Sequence, residues 1–69
     1  MKISARNQLP GKIAEVKKGA TTAHIRIEVA AGIVITASIT NEAVEELKLK
    51  PGMAAHAIIK ASDVMVAVA

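Results

Sequence analysis

Cysteine and aromatic residues are both missing from this 69-residue chain. Without cysteine there is no disulfide and no thiolate metal site. Without Phe, Trp or Tyr there is no platform on which nucleic-acid bases can stack, the usual source of single-strand affinity. No apolar run approaches the ~20 residues of a membrane span. Met1-Lys2 leads into polar residues rather than a signal-peptide core, so a soluble, cytoplasmic protein is expected. A glycine-rich phosphate loop is lacking, and no nucleophile elbow surrounds Ser4 or Ser62. That leaves a small hydrolase without a site, and no catalytic residue is assigned. His24 and His56 stand singly, with no His, Cys or paired carboxylate at ligand spacing; they read as ordinary exposed strand positions, and no metal cation site is assigned. A polybasic block is absent too. The net charge of +3 is spread along the chain, a mild attraction for anions rather than a nucleic-acid footprint.

What is present is small and apolar. Hydrophobic residues make up 52% of the chain, most of them small or branched. One thin core does not hide that much apolar surface, and a chain this small rarely holds a stable core alone. Oligomerisation is expected.

Strands dominate the pattern. Residues 2–8 read as a first strand, stopped by the turn signal Pro10-Gly11. Residues 11–18 read as a second, in which Ile13 and Val16 are both inward if a β-bulge lies between them. Ile25, Ile27 and Val29 alternate with His24, Arg26 and Glu28 in a third. Ala30-Ala31-Gly32 turns into a return strand over residues 33–40. Asn41 to Leu47 is the only helical stretch: Thr40 or Asn41 caps it, Glu42 and Glu45 suit its first turn, and Val44 and Leu47 face the core. Pro51-Gly52 is a turn, and residues 54–61 and 64–68 read as two more strands. The last is apolar on both faces, which suggests that one face meets another subunit. The expected fold is all-β: a small OB-like barrel of five to six short strands with one short helix.

One stretch concentrates chemistry. Ser4-Ala5-Arg6-Asn7-Gln8-Leu9 places a hydroxyl, a guanidinium and a carboxamide within four residues. In an extended segment Ser4 and Arg6 share a face, and that face offers donors, one O–H and the five N–H of Arg6, with no carboxylate nearby. Lys60 is the second cation in question. From the residues alone, two readings stand side by side: half of an anion site, or a solvated strand face with a lysine beside it.

The stretch from Ser4 to Leu9, followed by Gly11-Lys12-Ile13, resembles the opening signature of the molbindin (Mop) family, small molybdate-binding proteins with a TOBE-like domain. Ile58-Ile59-Lys60-Ala61-Ser62-Asp63-Val64 resembles the family's second signature. The resemblance runs in order over residues 1–69 and implies a single domain of the OB type. It implies binding of molybdate, or tungstate, without an organic cofactor, for intracellular storage or homeostasis. It further implies a homo-oligomer, a hexamer built as a trimer of dimers, with the oxyanion held between subunits. Carried onto this chain, one subunit supplies the segment Ser4, Ala5, Arg6 and Asn7 and the segment Lys60 and Ala61, and its partner supplies Thr40 and the position of Ala43; Ser62, beside Lys60, is a candidate replacement for the hydroxyl that position 43 lacks. Many relatives carry Ser where this chain has Ala43, which offers no hydroxyl. A second class of oxyanion site in the family falls on the loop with Gly19, Thr21 and Thr22; a plain polar turn is the competing reading there. The chemistry suits a fully deprotonated tetrahedral dianion, which a pocket made wholly of donors can hold. Phosphate still carries a proton that needs an acceptor, and sulfate must be rejected by size. The competing function class is an OB-type nucleic-acid module, which the barrel and the charge allow and the missing aromatics oppose.

Overall fold

The computed structural model describes residues 1–69. In chain order it has β1 (Asn7–Lys18), β2 (Thr22–Ala30), β3 (Ile33–Thr40), α1 (Asn41–Leu47), β4 (Ala54–Ile59) and a 3-10 turn over Ala61–Asp63. The four strands form one sheet in the order β3-β2-β1-β4, antiparallel throughout. The sheet curls into a half-barrel around Ile13, Ala23, Ile25, Ile27, Val44 and Ala57. The all-β, OB-like class stands, with four strands in place of five or six. No helix is long and apolar enough to cross a membrane.

The β2–β3 hairpin follows the alternation of its sequence. Ala23, Ile25 and Ile27 are buried while His24, Arg26 and Glu28 are exposed. Ala31-Gly32 makes the turn, with Gly32 at φ 77°, where a side chain is strained. The bulge in β1 is where Ile13 and Val16 require it: Ile13 pairs with Ile27, Glu15 with Arg26, and Ala14 is the extra residue. Helix α1 has Thr40 as its N-cap, Oγ1 accepting from the Ala43 N–H at 3.1 Å. Val44 is buried, but Leu47, expected in the core, is 59% exposed. So short a helix aims one residue inward, and Leu47 hangs over the open mouth of the half-barrel.

Three further expectations are corrected. Pro10-Gly11 is not a turn; both residues lie inside β1, opposite His56 and Ala55 of β4. Ile13 exchanges hydrogen bonds with Met53 and Gly52 (Ile13 N–H to Met53 O, 2.9 Å; Gly52 N–H to Ile13 O, 2.8 Å). Backbone groups alternate sides along a strand, so Pro10 turns its nitrogen toward β2, where pairing has already ended at Lys12–Glu28. A missing N–H costs nothing on that flank. Gly11 is there for space: a Cβ would sit 2.3 Å from the Glu28 carbonyl oxygen. Residues 2–6, expected to open the first strand, precede β1 without pairing. Residues 64–68, expected as a strand, have no partner in this chain, and Met65, Val66 and Val68 are about 90% exposed (92%, 88% and 92%).

The half-barrel stays open. A hollow of about 490 Å³ lies in its mouth, with Ile25, Ile27, Ile39, Leu49 and Met53 among its walls. Total accessible surface is 5475 Å², against about 4,100 Å² for a compact monomer of this mass.

Candidate functional site

Asn7 opens β1 and Ile59 closes β4, and the two are paired. The Asn7 carboxamide clips them together, Nδ2 donating to Ile59 O at 3.2 Å. Residues 4–6 and 60–62 therefore leave the sheet side by side. Gln8 Nε2 donates to Ala5 O at 3.2 Å, which fixes the approach of the first segment. Ser4, Arg6, Lys60, Ala61 and Ser62 are exposed, and Ala5 and Asn7 are half-buried. Ser4 and Arg6 precede the strand, so strand alternation does not set their directions. Ser62 likewise lies in the 3-10 turn and not in a strand. That turn is closed by Asp63 N–H to Lys60 O (2.9 Å) and Val64 N–H to Ala61 O (3.3 Å). The N–H groups of Ala61 and Ser62 have no backbone acceptor. Neither Arg6 nor Lys60 has an ion-pair partner; Lys18–Glu45 is the one ion pair in the chain. This end of the sheet thus gathers two uncommitted cations, two hydroxyls and two free N–H groups.

Thr40 is not part of that gathering. It pairs with Thr22 beside the far end of β1, where Lys18 pairs with Ala23. An extended strand of this length separates the two ends by on the order of 30 Å. Thr40 Oγ1 accepts from the Ala43 N–H, so its own hydroxyl proton remains free to donate outward. Position 43 contributes a backbone donor to the cap and no hydroxyl.

Gly19, Thr21 and Thr22 sit at this same far end, in and beside the turn between β1 and β2. Gly19 and Thr22 line a hollow of about 260 Å³ with Lys17, Lys18 and His24, and no apolar side chain takes part. Lys18 is tied to Glu45 of α1. That hydrogen bond, with the attraction of the ammonium, holds the Glu45 carboxyl below the usual carboxylate range. From sequence alone His24 reads as an exposed strand position with no link to Lys17. The signal was available: the bulge at Ala14 sets the register that puts Lys17 opposite His24. His56 lies elsewhere, opposite Pro10, and no group of three potential metal ligands comes together.

Residues 3–66 match the family model described as the TOBE domain. Over 66 residues the chain is 50% identical to molybdenum-pterin-binding protein 1 of Clostridium pasteurianum, covering 96% of this chain and 97% of that protein. The chain belongs to the Mop family of TOBE-domain proteins. Its fold agrees with solved members. A molybdate-binding protein from Sporomusa ovata superposes with a TM-score of 0.91 at 37% identity, over 99% of this Mop chain and all of that one (100%). The cytoplasmic molybdate-binding protein ModG, in a form with molybdate bound, superposes with a TM-score of 0.89 at 45% identity. That match covers 94% of this chain and 46% of ModG.

Proposed function

We propose that this chain binds molybdate, and tungstate by the same chemistry, as a bare oxyanion between copies of itself, as a cytoplasmic store or buffer and not as an enzyme. The observation that carries the reading is the split of the donors between opposite ends of the sheet. Ser4, Ala5, Arg6, Asn7, Lys60, Ala61 and Ser62 stand at one end and Thr40 at the other. One protomer does not bring both to a single ion; two protomers end to end would. The names of the relatives and solved structures, molybdenum-pterin-binding and molybdate-binding, support the choice of ion.

The donor set supports a ligand with no proton of its own. Arg6 supplies a fork of N–H groups, Lys60 a point charge, and the hydroxyls and turn N–H groups complete a shell of donors. A pterin ring is a poorer fit, because the chain has no aromatic side chain to stack on it. The assembly we favour is a homo-hexamer arranged as a trimer of dimers, with residues 1–69 acting as one binding domain. The uncovered tail and the open apolar mouth support burial against neighbours. The Gly19, Thr21 and Thr22 turn would form the second class of oxyanion site.

Thermal melting with molybdate tests the reading. A ligand that binds only the folded state stabilises it by roughly 2.7 kcal/mol at a hundredfold excess over Kd. Molybdate is expected to raise the melting temperature at physiological salt, and single-stranded DNA is expected to leave it unchanged. Stabilisation by DNA without stabilisation by molybdate would replace this reading with a nucleic-acid module.

A further inference from the structure

One residue captures three consecutive carbonyl groups at the β1–β2 turn. Asn41 Nδ2 donates to Gly19 O at 3.0 Å and to Ala20 O at 3.4 Å. The Asn41 backbone N–H donates to Thr21 O at 2.9 Å. Being the first residue of α1, Asn41 has an N–H without an intrahelical acceptor, so it is free for this use.

Peptide geometry turns that capture into a prediction about the other side of the loop. All peptide bonds here are trans, and in a trans peptide the C=O and the next residue's N–H point opposite ways. With the Gly19 and Ala20 carbonyls held on Asn41, the N–H groups of Ala20 and Thr21 are driven outward. Neither N–H has an acceptor within the chain. An anion near this turn would otherwise meet carbonyl oxygens and be repelled. Instead it meets two outward donors, flanked by Gly19 and Thr22 of the Lys17, Lys18 and His24 hollow. The Asn41 Oδ1 is buried with no partner. The side chain is therefore held by what its Nδ2 does.

We infer that Asn41 is a positioning residue for the second oxyanion site: it turns the loop inside out so that the Ala20 and Thr21 N–H groups donate to the ion. This rests on the reading that the turn binds oxyanions at all. It also places the loop and Thr40 on one rigid piece, since Asn41 follows Thr40 directly.

Amide NMR and titration calorimetry with sodium molybdate test it, on the assembled wild type, Arg6→Ala, Asn41→Asp and Asn41→Ser. Asp offers the carbonyls a negative charge in place of a donor; Ser keeps the backbone bond to Thr21 and loses the amide. In the wild type and in Arg6→Ala, the Ala20 and Thr21 amide resonances are expected to move on adding molybdate. In both Asn41 variants those movements should vanish and the Arg6-independent class of binding should weaken about tenfold. The Arg6-dependent class should change less than about twofold in the Asn41 variants. Molybdate bound with the two amides unmoved would overturn the inference while leaving the proposed function intact. Equal movements in wild type and Asn41 variants would do the same, as would failure of both Asn41 variants to fold, which would make Asn41 a folding residue. Absence of any molybdate binding by the wild type would remove the proposed function itself.

Discussion

Arg6 and Lys60 are left without carboxylates in a chain that has six of them. Two cations at one end of a sheet without a counter-ion favour the arrival of an anion. In the proposed site Arg6 would be the stronger of the two anchors, since its planar fork can bond two oxygens of one ion at once. Arg6→Ala is expected to weaken molybdate binding by about 2–4 kcal/mol, with Arg6→Lys restoring only part. Arg26 is the control: exposed on β2 and opposite Glu15, its loss should change binding by less than about 0.5 kcal/mol. Equal losses at both positions in calorimetry would mean diffuse charge attraction and no defined site. Arg6 and Lys60 were legible as site candidates because their signatures sit in contiguous residues. Asn41 was not, because its bonds go to backbone carbonyls, which leave no trace in side-chain identity.

At the scale of elements, β1 shows where local signals fail. Pro10-Gly11 has the composition of a turn, and only the unpaired flank toward β2 explains why it is strand. No residue near Pro10 reports where a neighbouring strand stops. The bulge was legible, because Ile13 and Val16 can both face inward in no other way. The hairpin and α1 were legible for the same reason: strict alternation and a hydroxyl cap are local statements. Gly11→Ala forces a methyl against the Glu28 carbonyl; a cost of at least about 1–3 kcal/mol is expected in chemical denaturation, the usual range for overpacking. The Lys18–Glu45 pair fastens the end of β1 to α1. Because Glu45 is held below its unfolded value by Lys18, its contribution is present above the ordinary carboxylate range. It is lost as pH falls below about 4.5 and through the depressed folded value. Glu45→Gln should flatten the acid limb of melting temperature against pH, by a small and salt-sensitive amount because the pair is exposed. An unchanged acid limb would show that the pair contributes nothing to folding.

The whole protomer exposes 5475 Å², roughly 1,400 Å² more than a compact chain of its mass. That excess is of the size that specific subunit contacts remove from water. The tail was legible as apolar on both faces, but which chain would cover it is not a property of its residues. Light scattering at micromolar concentration should therefore find no folded 7.1 kDa species; finding one would contradict the assembly. Within the protomer, β1 is a spine with two leaves. It pairs with β4 along Asn7–Lys12 and with β2 along Lys12–Lys18, and Lys12 alone belongs to both ladders. The β4 leaf is a single strand hydrogen-bonded to β1 only, whereas β2 is held between β1 and β3, so β4 is expected to open before β2 does. Amide protons on Ala54–Ile59 should then exchange with solvent sooner than those on Thr22–Ala30. Lys60 hangs from the loose leaf and Thr40 from the firm one. An ion held between them would act as a latch, pinning the loose leaf of one protomer to the firm leaf of the next.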